Sequence, residues 1–324
     1  MRIAILDDYL AAVASLKAFG RLAGHEAVVF TDREQDRDRL AERLAPFEAL
    51  VLTRERTRID AALLDRLPAL RVISQTGVIP HIDVPACTER GVAVCTVRTG
   101  DSTTTAELTW GLVLASMRYI PQELEALRAG RWQTRLGRGL RGLTLGILGY
   151  GGIGAIVAGF GRAFGMHVLA WGREGSLARA RADGVEVAAS QRDLFERSDV
   201  VSVHLRMLPE TSGIVTAADL AAMKPDALFV NTSRAALVEP GALLAALRAG
   251  RPGYAAVDVY DREPVDDRSD PLLSMDNVVC SPHVGYVTRD RFEIIYGTAF
   301  DQVLAFANGS PLNVVNPDAL RTVR

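Results

Sequence analysis

Short apolar runs alternate with amphipathic helical patterns along residues 1–100. Short runs rich in β-branched side chains are typical of buried strands, and apolar positions that recur every three or four residues are typical of helices. The predicted strands are residues 2–6, 27–30, 49–53, 72–75 and 92–96, and the predicted helices are residues 11–19, 36–45 and 60–66. Strands that alternate with helices form a largely parallel sheet, so we expect an α/β domain here.

The same rhythm resumes after a long helix-favouring stretch. This stretch begins near Ser102, and we expect Pro121 to end it because proline cannot continue a helix interior. The later runs TLGIL, HVLAW, VVSVHL, ALFVN, YAAVDV and NVVCS predict the strands of a doubly wound Rossmann sheet. A last helical pattern covers residues 289–307. We therefore expect a domain boundary near residue 100.

Composition narrows the class of protein. With 324 residues, 48% of them hydrophobic and 23% charged, the chain can bury two cores, and disorder is not expected. The net charge of -2 and the scatter of basic residues among acidic ones argue against nucleic-acid or membrane-surface binding. No apolar run is long enough to predict a membrane span or a signal peptide, so we expect a cytoplasmic protein with a small soluble partner.

The three cysteines suggest no metal or redox chemistry. Cys87, Cys95 and Cys280 form neither a CxxC motif nor a cluster with histidines. Such spacing favours buried free thiols over a zinc site or a disulfide framework. No metal is therefore expected.

A glycine-rich segment, GYGGIG, lies directly after a predicted strand and directly before a helix of small residues. This context is typical of a dinucleotide-binding loop, although a turn without a ligand is the alternative. Gly149 would supply the tight turn, Gly151 would let the backbone approach a pyrophosphate, and Gly154 would let the helix pack against the sheet. The helix N-terminus would stabilise the phosphate charge. The other expected members of the loop are Tyr150, Gly152 and Ile153.

The end of the next strand bears on the choice of cofactor. An acidic residue at that position hydrogen-bonds the adenosine ribose of NAD, but the sequence here reads Trp171, Gly172, Arg173. Gly172 leaves room for a 2′-phosphate and Arg173 can bind it with a planar guanidinium, so NADP(H) is favoured. Glu174 follows and keeps NAD(H) open, and a solvated Arg173 is the other alternative.

Polar residues follow three late strands of the second domain. Reduction of a 2-oxo acid needs a cation to hold the carboxylate and polarise the carbonyl, and an acid to protonate the oxygen. Arg234 follows ALFVN, Glu263 lies beyond YAAVDV, and His283 follows NVVCS. These are positions at the carboxyl edge of the sheet, where doubly wound folds bind ligands. Each residue alone is more often structural or solvated, so the hypothesis depends on their joint occurrence behind the glycine-rich loop.

These motifs resemble the D-isomer-specific 2-hydroxyacid dehydrogenases, and the resemblance covers nearly the whole chain. That family has an Arg after Asn-Thr-Ser, a Glu before Pro and a His after Pro, and all three occur here in that order. The resemblance implies that Arg234 binds the substrate carboxylate and carbonyl, that His283 is the general acid and base, and that Glu263 hydrogen-bonds the imidazole. Within the family, the chain resembles the glyoxylate and hydroxypyruvate reductases.

The resemblance also implies the domain arrangement. The Rossmann domain, residues 101–289, would be inserted into a smaller flavodoxin-like α/β substrate domain formed by residues 1–100 and 290–324. Members of the family usually pair through the dinucleotide domain, so the resemblance implies a homodimer.

Further contacts follow from the same resemblance, with ordinary packing and loop capping as the alternative. Thr105 resembles the threonine near the nicotinamide, and Asp258 resembles the acid that contacts its carboxamide. The backbone of Thr76, Gly77 and Val78 is expected to bind the substrate carboxylate together with Arg234 and His283. The other expected cofactor contacts are Trp171, His204, Leu205, Arg206, Thr211, Thr232 and Gly285.

Two departures from the family pattern leave the substrate open. Pro80 and His81 stand where an asparagine is expected, and we interpret His81 as a surface loop residue and not as a second catalytic histidine. Ala235 and Ala236 follow Arg234 where glycine is usual. A 2-imino acid is an alternative acceptor, because it takes a hydride and a proton in the same way. A corepressor-like protein that senses nicotinamide nucleotides is an alternative from another class.

Overall fold

The computed structural model describes residues 1–97, 100, 102–265 and 267–322, and of residue 322 only the backbone. Residues 98, 99 and 101, beside the predicted domain boundary, lie outside the described residues. The contacts between Cα atoms divide the chain into two compact units. Unit 1 comprises Met1–Gly100 and Val287–Arg324, and unit 2 comprises Asp101–Tyr286.

The strands of both units are short, and most of their residues are buried. In unit 1 they are β1 (Arg2–Ile5), β2 (Glu26–Val29), β3 (Ala49–Val51), β4 (Val72–Thr76) and β5 (Ala93–Val97). In unit 2 they are β6 (Thr144–Leu148), β7 (His167–Trp171), β8 (Glu186–Val187), β9 (Val200–Val203), β10 (Leu228–Asn231), β11 (Tyr254–Val257) and β12 (Val278–Cys280).

The α-helices of unit 1 are α1 (Arg37–Leu44), α2 (Ala61–Leu64), α3 (Val84–Glu89), α11 (Arg289–Ala307) and α12 (Ala319–Thr322). Those of unit 2 are α4 (Thr103–Met117), α5 (Ile120–Arg128), α6 (Gly152–Ala163), α7 (Glu174–Ala182), α8 (Gln191–Arg197), α9 (Ala217–Ala222) and α10 (Ala242–Arg248). Within the described ranges, each helix is too short or too polar to cross a bilayer.

The sheet of unit 1 is parallel and has the order β2-β1-β3-β4-β5. This is the flavodoxin-like order, in which the connections change direction between β1 and β3. Ile3, Leu50 and Ile73 on the central strands are fully buried. Helix α11 also belongs to this unit, where the Ser74 hydroxyl donates to the Ala299 carbonyl (2.9 Å). The expected flavodoxin-like α/β fold is confirmed.

The sheet of unit 2 is parallel and has the order β12-β11-β10-β9-β6-β7-β8. Strand β6 pairs with both β7 and β9, so the connections reverse direction at β6, as in a Rossmann fold. The predicted doubly wound sheet is confirmed, with β8 as a strand that the sequence pattern did not predict. β8 has two residues, which is too short for a recognisable alternation of apolar and polar positions.

One predicted helix, residues 11–19, is wrong. The segment forms two short 3₁₀ turns, Val13–Ser15 and Lys17–Leu22, because Leu16 between them is extended (φ −75°, ψ 143°). The Glu293 carboxylate accepts the N–H groups of Lys17 (2.7 Å) and Ala18 (2.9 Å), so the second turn begins at a cap of its own. Capping by a residue so distant in the sequence has no local signature.

The predicted end of the helix after Ser102 is also wrong. Helix α4 ends at Met117, and Tyr119 adopts a left-handed backbone (φ 51°) before α5 begins. Pro121 lies in the first turn of α5, where the missing N–H of proline costs nothing because first-turn N–H groups have no partner within the helix. Pro121 therefore helps to start the second helix.

Candidate active site

The loops after β11 and β12 place Glu263 and His283 side by side in unit 2. The Nδ1 atom of His283 lies 2.6 Å from Oε2 of Glu263, and both side chains are partly buried. The other oxygen of Glu263, Oε1, accepts the backbone N–H of Tyr260 (3.0 Å). The carboxylate is therefore held on both sides and fixes the orientation of the imidazole ring.

Competing influences act on the pKa of Glu263. Burial alone would raise this pKa, because it disfavours the charged form. The hydrogen bond and charge of His283, the Tyr260 N–H and the charge of Arg234 act in the opposite direction and hold the pKa below its usual value. Glu263 is therefore a carboxylate at neutral pH.

Arg234 follows β10 in a loop that is fixed by its neighbours. The Asn231 side chain donates from Nδ2 to the Arg234 carbonyl (2.9 Å) and accepts the Ser233 N–H at Oδ1 (3.0 Å). The guanidinium donates from Nη1 to the Ser233 carbonyl (2.7 Å). Because its charge also lowers the pKa of Glu263, Arg234 lies in the same region as Glu263 and His283.

Asp258 holds the turn that carries His283. Its buried carboxylate accepts the Ser281 hydroxyl (2.6 Å) and the N–H groups of Val284 (2.9 Å) and Gly285 (3.0 Å). Burial raises the pKa of Asp258, and these hydrogen bonds oppose the rise. The Thr105 hydroxyl donates to the Gly285 carbonyl (3.1 Å). The structure thus brings Thr105, Asp258 and Gly285 together.

Gly285 is tightly enclosed in this turn. A Cβ atom at Gly285 would lie 3.2 Å from Cγ2 of Thr105 and 3.3 Å from Oδ2 of Asp258. Thr232, directly after β10, contacts α4, since its hydroxyl is 2.7 Å from that of Thr109. Thr109 also donates to the Thr105 carbonyl (2.8 Å).

Several residues of this region were not predicted from the sequence. They share a supporting role, because each holds a residue that was predicted, and they are Thr109, Asn231, Tyr260 and Ser281. All but Thr109 lie at or just beyond the carboxyl end of a strand. The position of polar residues at that edge is the signal that could have identified them.

The glycine-rich loop joins β6 to α6 at the same edge of the sheet. Gly149 has φ 100°, and a Cβ atom there would lie 2.9 Å from the His204 carbonyl carbon. A Cβ atom at Gly154 would lie 2.4 Å from the Gly149 oxygen, whereas one at Gly151 would meet nothing within 4 Å. Gly149 and Gly154 thus serve close packing, and Gly151 faces open space at the N-terminus of α6. This geometry fits a bound pyrophosphate.

The other residues of the glycine-rich loop, Tyr150, Gly152 and Ile153, pack within unit 2. Tyr150 is buried and donates its hydroxyl to Asp183 (2.8 Å), and burial raises its pKa to about 12. Ile153 packs against the apolar core of unit 2. A Cβ atom at Gly152 would lie 2.9 Å from the Ser102 hydroxyl. Any contact of these three residues with a cofactor would therefore involve mainly their backbone.

Two ion pairs lie just beyond the end of β7. Trp171 ends β7 and packs against apolar side chains of the core, and Gly172 follows it. Nη2 of Arg173 lies 3.0 Å from Oε1 of Glu210, and both side chains are well exposed. Arg181 donates from Nη1 to Glu174 (2.6 Å). Both charged residues that bear on the cofactor choice are thus engaged with oppositely charged side chains.

Residues 204–211 form a closed loop after β9. Burial lowers the pKa of His204 to about 3, and its Nε2 lies 2.9 Å from the Ser202 hydroxyl. The Leu205 carbonyl accepts the Ser233 hydroxyl (2.6 Å), which links this loop to the Arg234 loop. The Thr211 hydroxyl donates to the Arg206 carbonyl (2.7 Å) and accepts the Leu208 N–H (2.8 Å).

The predicted carboxylate-binding loop lies at the end of β4 in unit 1. Gly77 (φ 105°) donates its N–H to the Val97 carbonyl (3.0 Å), and the Gln75 side chain donates to the Val78 carbonyl (2.7 Å). Thr76 is buried as the last residue of the strand. The Gly77 N–H is already used in a hydrogen bond to Val97. The Val78 N–H has no acceptor among the described residues and is the backbone donor that this loop offers.

His81 is not the surface residue that the sequence suggested. Both ring nitrogens are buried and have no hydrogen-bond partner within the described part of the chain. Burial lowers the pKa of His81, while the charge of Glu55 opposes this change. The surface interpretation is wrong because the ring is directed inward, although the His81 carbonyl still accepts the Ile59 N–H (2.9 Å).

The cysteines are free thiols. Burial raises the pKa of Cys87 to about 12 and that of Cys95 to about 11, which makes both unreactive at neutral pH. Among the described residues, no three His, Cys, Asp or Glu side chains are grouped to hold a metal ion.

Comparison with known proteins gives a family match and similar relatives. A family model described as the NAD binding domain of D-isomer specific 2-hydroxyacid dehydrogenases matches residues 110–285. The chain is 38% identical over 278 residues to the glyoxylate reductase of Aeropyrum pernix, a match that covers 82% of each protein. It is 34% identical to the D-3-phosphoglycerate dehydrogenase of Methanocaldococcus jannaschii, covering 86% of this chain and 54% of that protein. The chain thus spans about half the length of the latter relative.

Solved structures match over both units. A crystal structure of a protein from Ralstonia solanacearum has a TM-score of 0.95 and 51% identity, covering 98% of each chain. The phosphoglycerate oxidoreductase from Vibrio cholerae O395 has a TM-score of 0.92 and 50% identity, covering 95% of this chain and 99% of that chain.

Proposed function

The chain belongs to the D-isomer-specific 2-hydroxyacid dehydrogenase family, and on that premise we propose that it reduces a small 2-oxo acid to a D-2-hydroxy acid, with NADPH preferred over NADH. Membership of the family makes the protein an oxidoreductase with a nicotinamide-binding Rossmann domain. The substrate class, the roles of individual residues and the cofactor preference are the parts that we propose.

The contact between His283 and Glu263 is the observation that carries the proposal. With Nδ1 engaged by the carboxylate at 2.6 Å, the proton for the substrate oxygen is held at Nε2. The negative charge of Glu263 stabilises the protonated imidazole, and its second oxygen is fixed by the Tyr260 N–H. His283 is thus oriented for proton donation.

Arg234 supplies the positive charge that a 2-oxo acid needs. Its loop is fixed by Asn231, so the guanidinium is positioned before the substrate binds. A planar guanidinium binds a carboxylate through two parallel hydrogen bonds and also polarises a neighbouring carbonyl.

The nicotinamide cofactor, when bound, supplies the hydride. The open position at Gly151 and the N-terminus of α6 would hold its pyrophosphate, and the enclosed turn at Gly285 keeps Asp258 and Thr105 in place for the nicotinamide end. The absence of a carboxylate at the end of β7 and the presence of Arg173 support NADPH as the preferred form.

The test is a cofactor-oxidation assay at neutral pH with a panel of 2-oxo acids that includes glyoxylate and hydroxypyruvate. Each substrate is tested with NADPH and with NADH, with and without ammonium at high concentration. We expect turnover without ammonium and a higher kcat/KM for NADPH. Turnover only with ammonium would identify a 2-imino acid as the substrate in place of a 2-oxo acid. Tight nucleotide binding without any turnover would favour a sensing protein.

A further inference from the structure

The ion pair between Arg173 and Glu210 bears directly on cofactor selection. We infer that Glu210 sets the NADPH-to-NADH preference by competing with the 2′-phosphate of NADP(H) for the guanidinium of Arg173. The inference rests on the proposed role of Arg173 as the 2′-phosphate ligand. It adds a specificity-determining residue that lies on a different loop.

The two residues approach each other from loops on either side of the glycine-rich loop. Strand β6 lies between β7 and β9, and all three strands are parallel, so their carboxyl ends share one edge. Arg173 follows β7 and directly precedes α7, and Glu210 lies in the 3₁₀ turn Pro209–Thr211 after β9. Nη2 of Arg173 and Oε1 of Glu210 are 3.0 Å apart across this edge.

The turn that carries Glu210 is well fixed. The Thr211 hydroxyl closes it through bonds to the Arg206 carbonyl and the Leu208 N–H. The backbone that carries Glu210 is therefore held by hydrogen bonds within its own loop.

Other charged groups near Arg173 have different partners. Glu174 accepts from Arg181 (2.6 Å), and Arg179 donates to the Tyr150 carbonyl (3.1 Å). The Ser176 hydroxyl also donates to the Tyr150 carbonyl (3.1 Å), and the Tyr150 hydroxyl donates to Asp183. Among the described carboxylates, Glu210 is therefore the one that pairs with Arg173.

The exposure of the pair determines how it responds to a phosphate. The side chains of Arg173 and Glu210 are 64% and 61% exposed, so water weakens their attraction. A 2′-phosphate carries more negative charge and more acceptor oxygens than a carboxylate, so it can displace Glu210 from the guanidinium. Breaking the contact between Glu210 and Arg173 reduces the affinity for the 2′-phosphate. It also leaves the Glu210 carboxylate and the phosphate, both negatively charged, near each other.

A cofactor without the 2′-phosphate leaves the pair intact. Glu210 therefore penalises NADP(H) selectively and has little effect on NAD(H). The consequence is a modest preference for NADPH that still permits the use of NADH.

The experiment measures binding of two nucleotide fragments by calorimetry at physiological salt. Adenosine 2′,5′-bisphosphate carries the 2′-phosphate, and 5′-AMP is the matched ligand without it. For Glu210→Gln we expect the bisphosphate to bind about fivefold more tightly, the upper range for an exposed ion pair, and 5′-AMP to change by less than about twofold. Glu186→Gln is the control, since it removes an equal charge from another exposed ion pair of unit 2, the pair with Arg197, and leaves the contact of Arg173 with Glu210 in place.

Two further variants separate the inference from the proposed cofactor preference. In the Arg173→Gln background, Glu210→Gln should change bisphosphate affinity by less than about twofold, because the competition is gone and the remaining repulsion is screened. An equal effect in both backgrounds, no effect of Glu210→Gln, or an equal effect of Glu186→Gln would overturn the inference. If Arg173→Gln alone leaves bisphosphate binding unchanged, the proposed preference for NADPH fails as well.

Discussion

His283 depends on neighbours that act on different parts of it. Glu263 holds the ring through Nδ1, and Asp258 holds the backbone of the following turn through Val284 and Gly285. The residue itself has φ 53°, a left-handed conformation that is uncommon outside glycine. A strained conformation persists only where its surroundings determine it, and here the contacts to Asp258 do so.

Glu263→Gln tests the electrostatic part of this arrangement. The amide keeps the size of the side chain but removes the charge that stabilises the protonated imidazole. We expect kcat/KM to fall, because a neutral amide no longer holds the imidazole through a charge-assisted hydrogen bond. The measurement is the pH profile of kcat/KM for wild type and variant, and coincident profiles would refute the role of Glu263.

The pH dependence of the free energy of unfolding tests Glu263→Gln independently of the kinetics. The pKa of Glu263 is lowered in the folded protein, so its ionisation stabilises the fold above the ordinary pKa and this contribution is lost as the pH falls through the lowered pKa. We expect the stability of Glu263→Gln to fall less than that of wild type on acidification. Unfolding by urea at neutral and acidic pH measures the difference.

The sequence predicted the positions of Arg234, Glu263 and His283 because strand ends at one edge of a parallel sheet can be recognised locally. It could not predict which residues support them. Arg173 and Glu210 are 37 residues apart, and no local pattern indicates that they meet. The ring of His81 was misjudged for the same reason, since its burial depends on residues that are distant in the sequence.

At the scale of elements, the β6–α6 junction is the most constrained part of the cofactor site. Gly154 permits contact between α6 and the loop before it, because any side chain there would collide with the Gly149 oxygen. Gly159, five residues along the same helix, has open space around it. The two glycines thus differ in function although both lie in α6.

Alanine at each of these two glycines should give opposite results. Gly154→Ala places a Cβ atom 2.4 Å from a backbone oxygen, and we expect a loss of about 1–3 kcal/mol in unfolding free energy together with weaker cofactor binding. Gly159→Ala should be neutral or add about 0.5–1 kcal/mol, because alanine favours a helix over glycine. Urea unfolding and cofactor titration followed by tryptophan fluorescence measure both effects. Equal behaviour of the two variants would contradict the close packing at Gly154.

Elements could be predicted where their own residues determine them. The buried strands carry enough apolar residues to be recognised, and Asp36 and Asp60 mark the starts of α1 and α2 as N-caps. The second 3₁₀ turn after β1 is capped by Glu293 from the other end of the chain, and the two-residue strand β8 is defined by its pairing with β7. Such elements form because of tertiary contacts and were therefore missed.

At the scale of the whole molecule, unit 2 can be followed by itself. Trp110, Trp132 and Trp171 account for all three tryptophans, and all lie in unit 2. Intrinsic tryptophan fluorescence therefore reports on the unit that contains the glycine-rich loop. Circular dichroism reports on the helices of both units.

Cofactor binding should stabilise unit 2. A ligand that binds only the folded state at about a hundred times its Kd stabilises it by about 2.7 kcal/mol. We expect NADPH to raise the midpoint of thermal unfolding followed by tryptophan fluorescence, with NADH giving a smaller rise at equal concentration. An unchanged midpoint with either nucleotide would contradict binding in unit 2.

The organisation of the whole chain was the part least accessible to sequence patterns. Periodicity predicts a helix over residues 289–307 but does not tell which core it joins, and this placement came from the family resemblance. In the structure, Ser74 of β4 contacts Ala299 and Gln302 of α11. The homodimer stays a prediction, which sedimentation velocity can test.

The most direct test of the proposed mechanism is the kinetics of His283→Ala. If His283 donates the proton to the substrate oxygen, kcat for 2-oxo acid reduction should fall about 10²- to 10⁴-fold, while the Kd for NADPH, measured by tryptophan quenching, stays within about twofold. An unchanged thermal midpoint would show that the variant is folded. Turnover near the wild-type rate would contradict the central claim that His283, held by Glu263, is the proton donor.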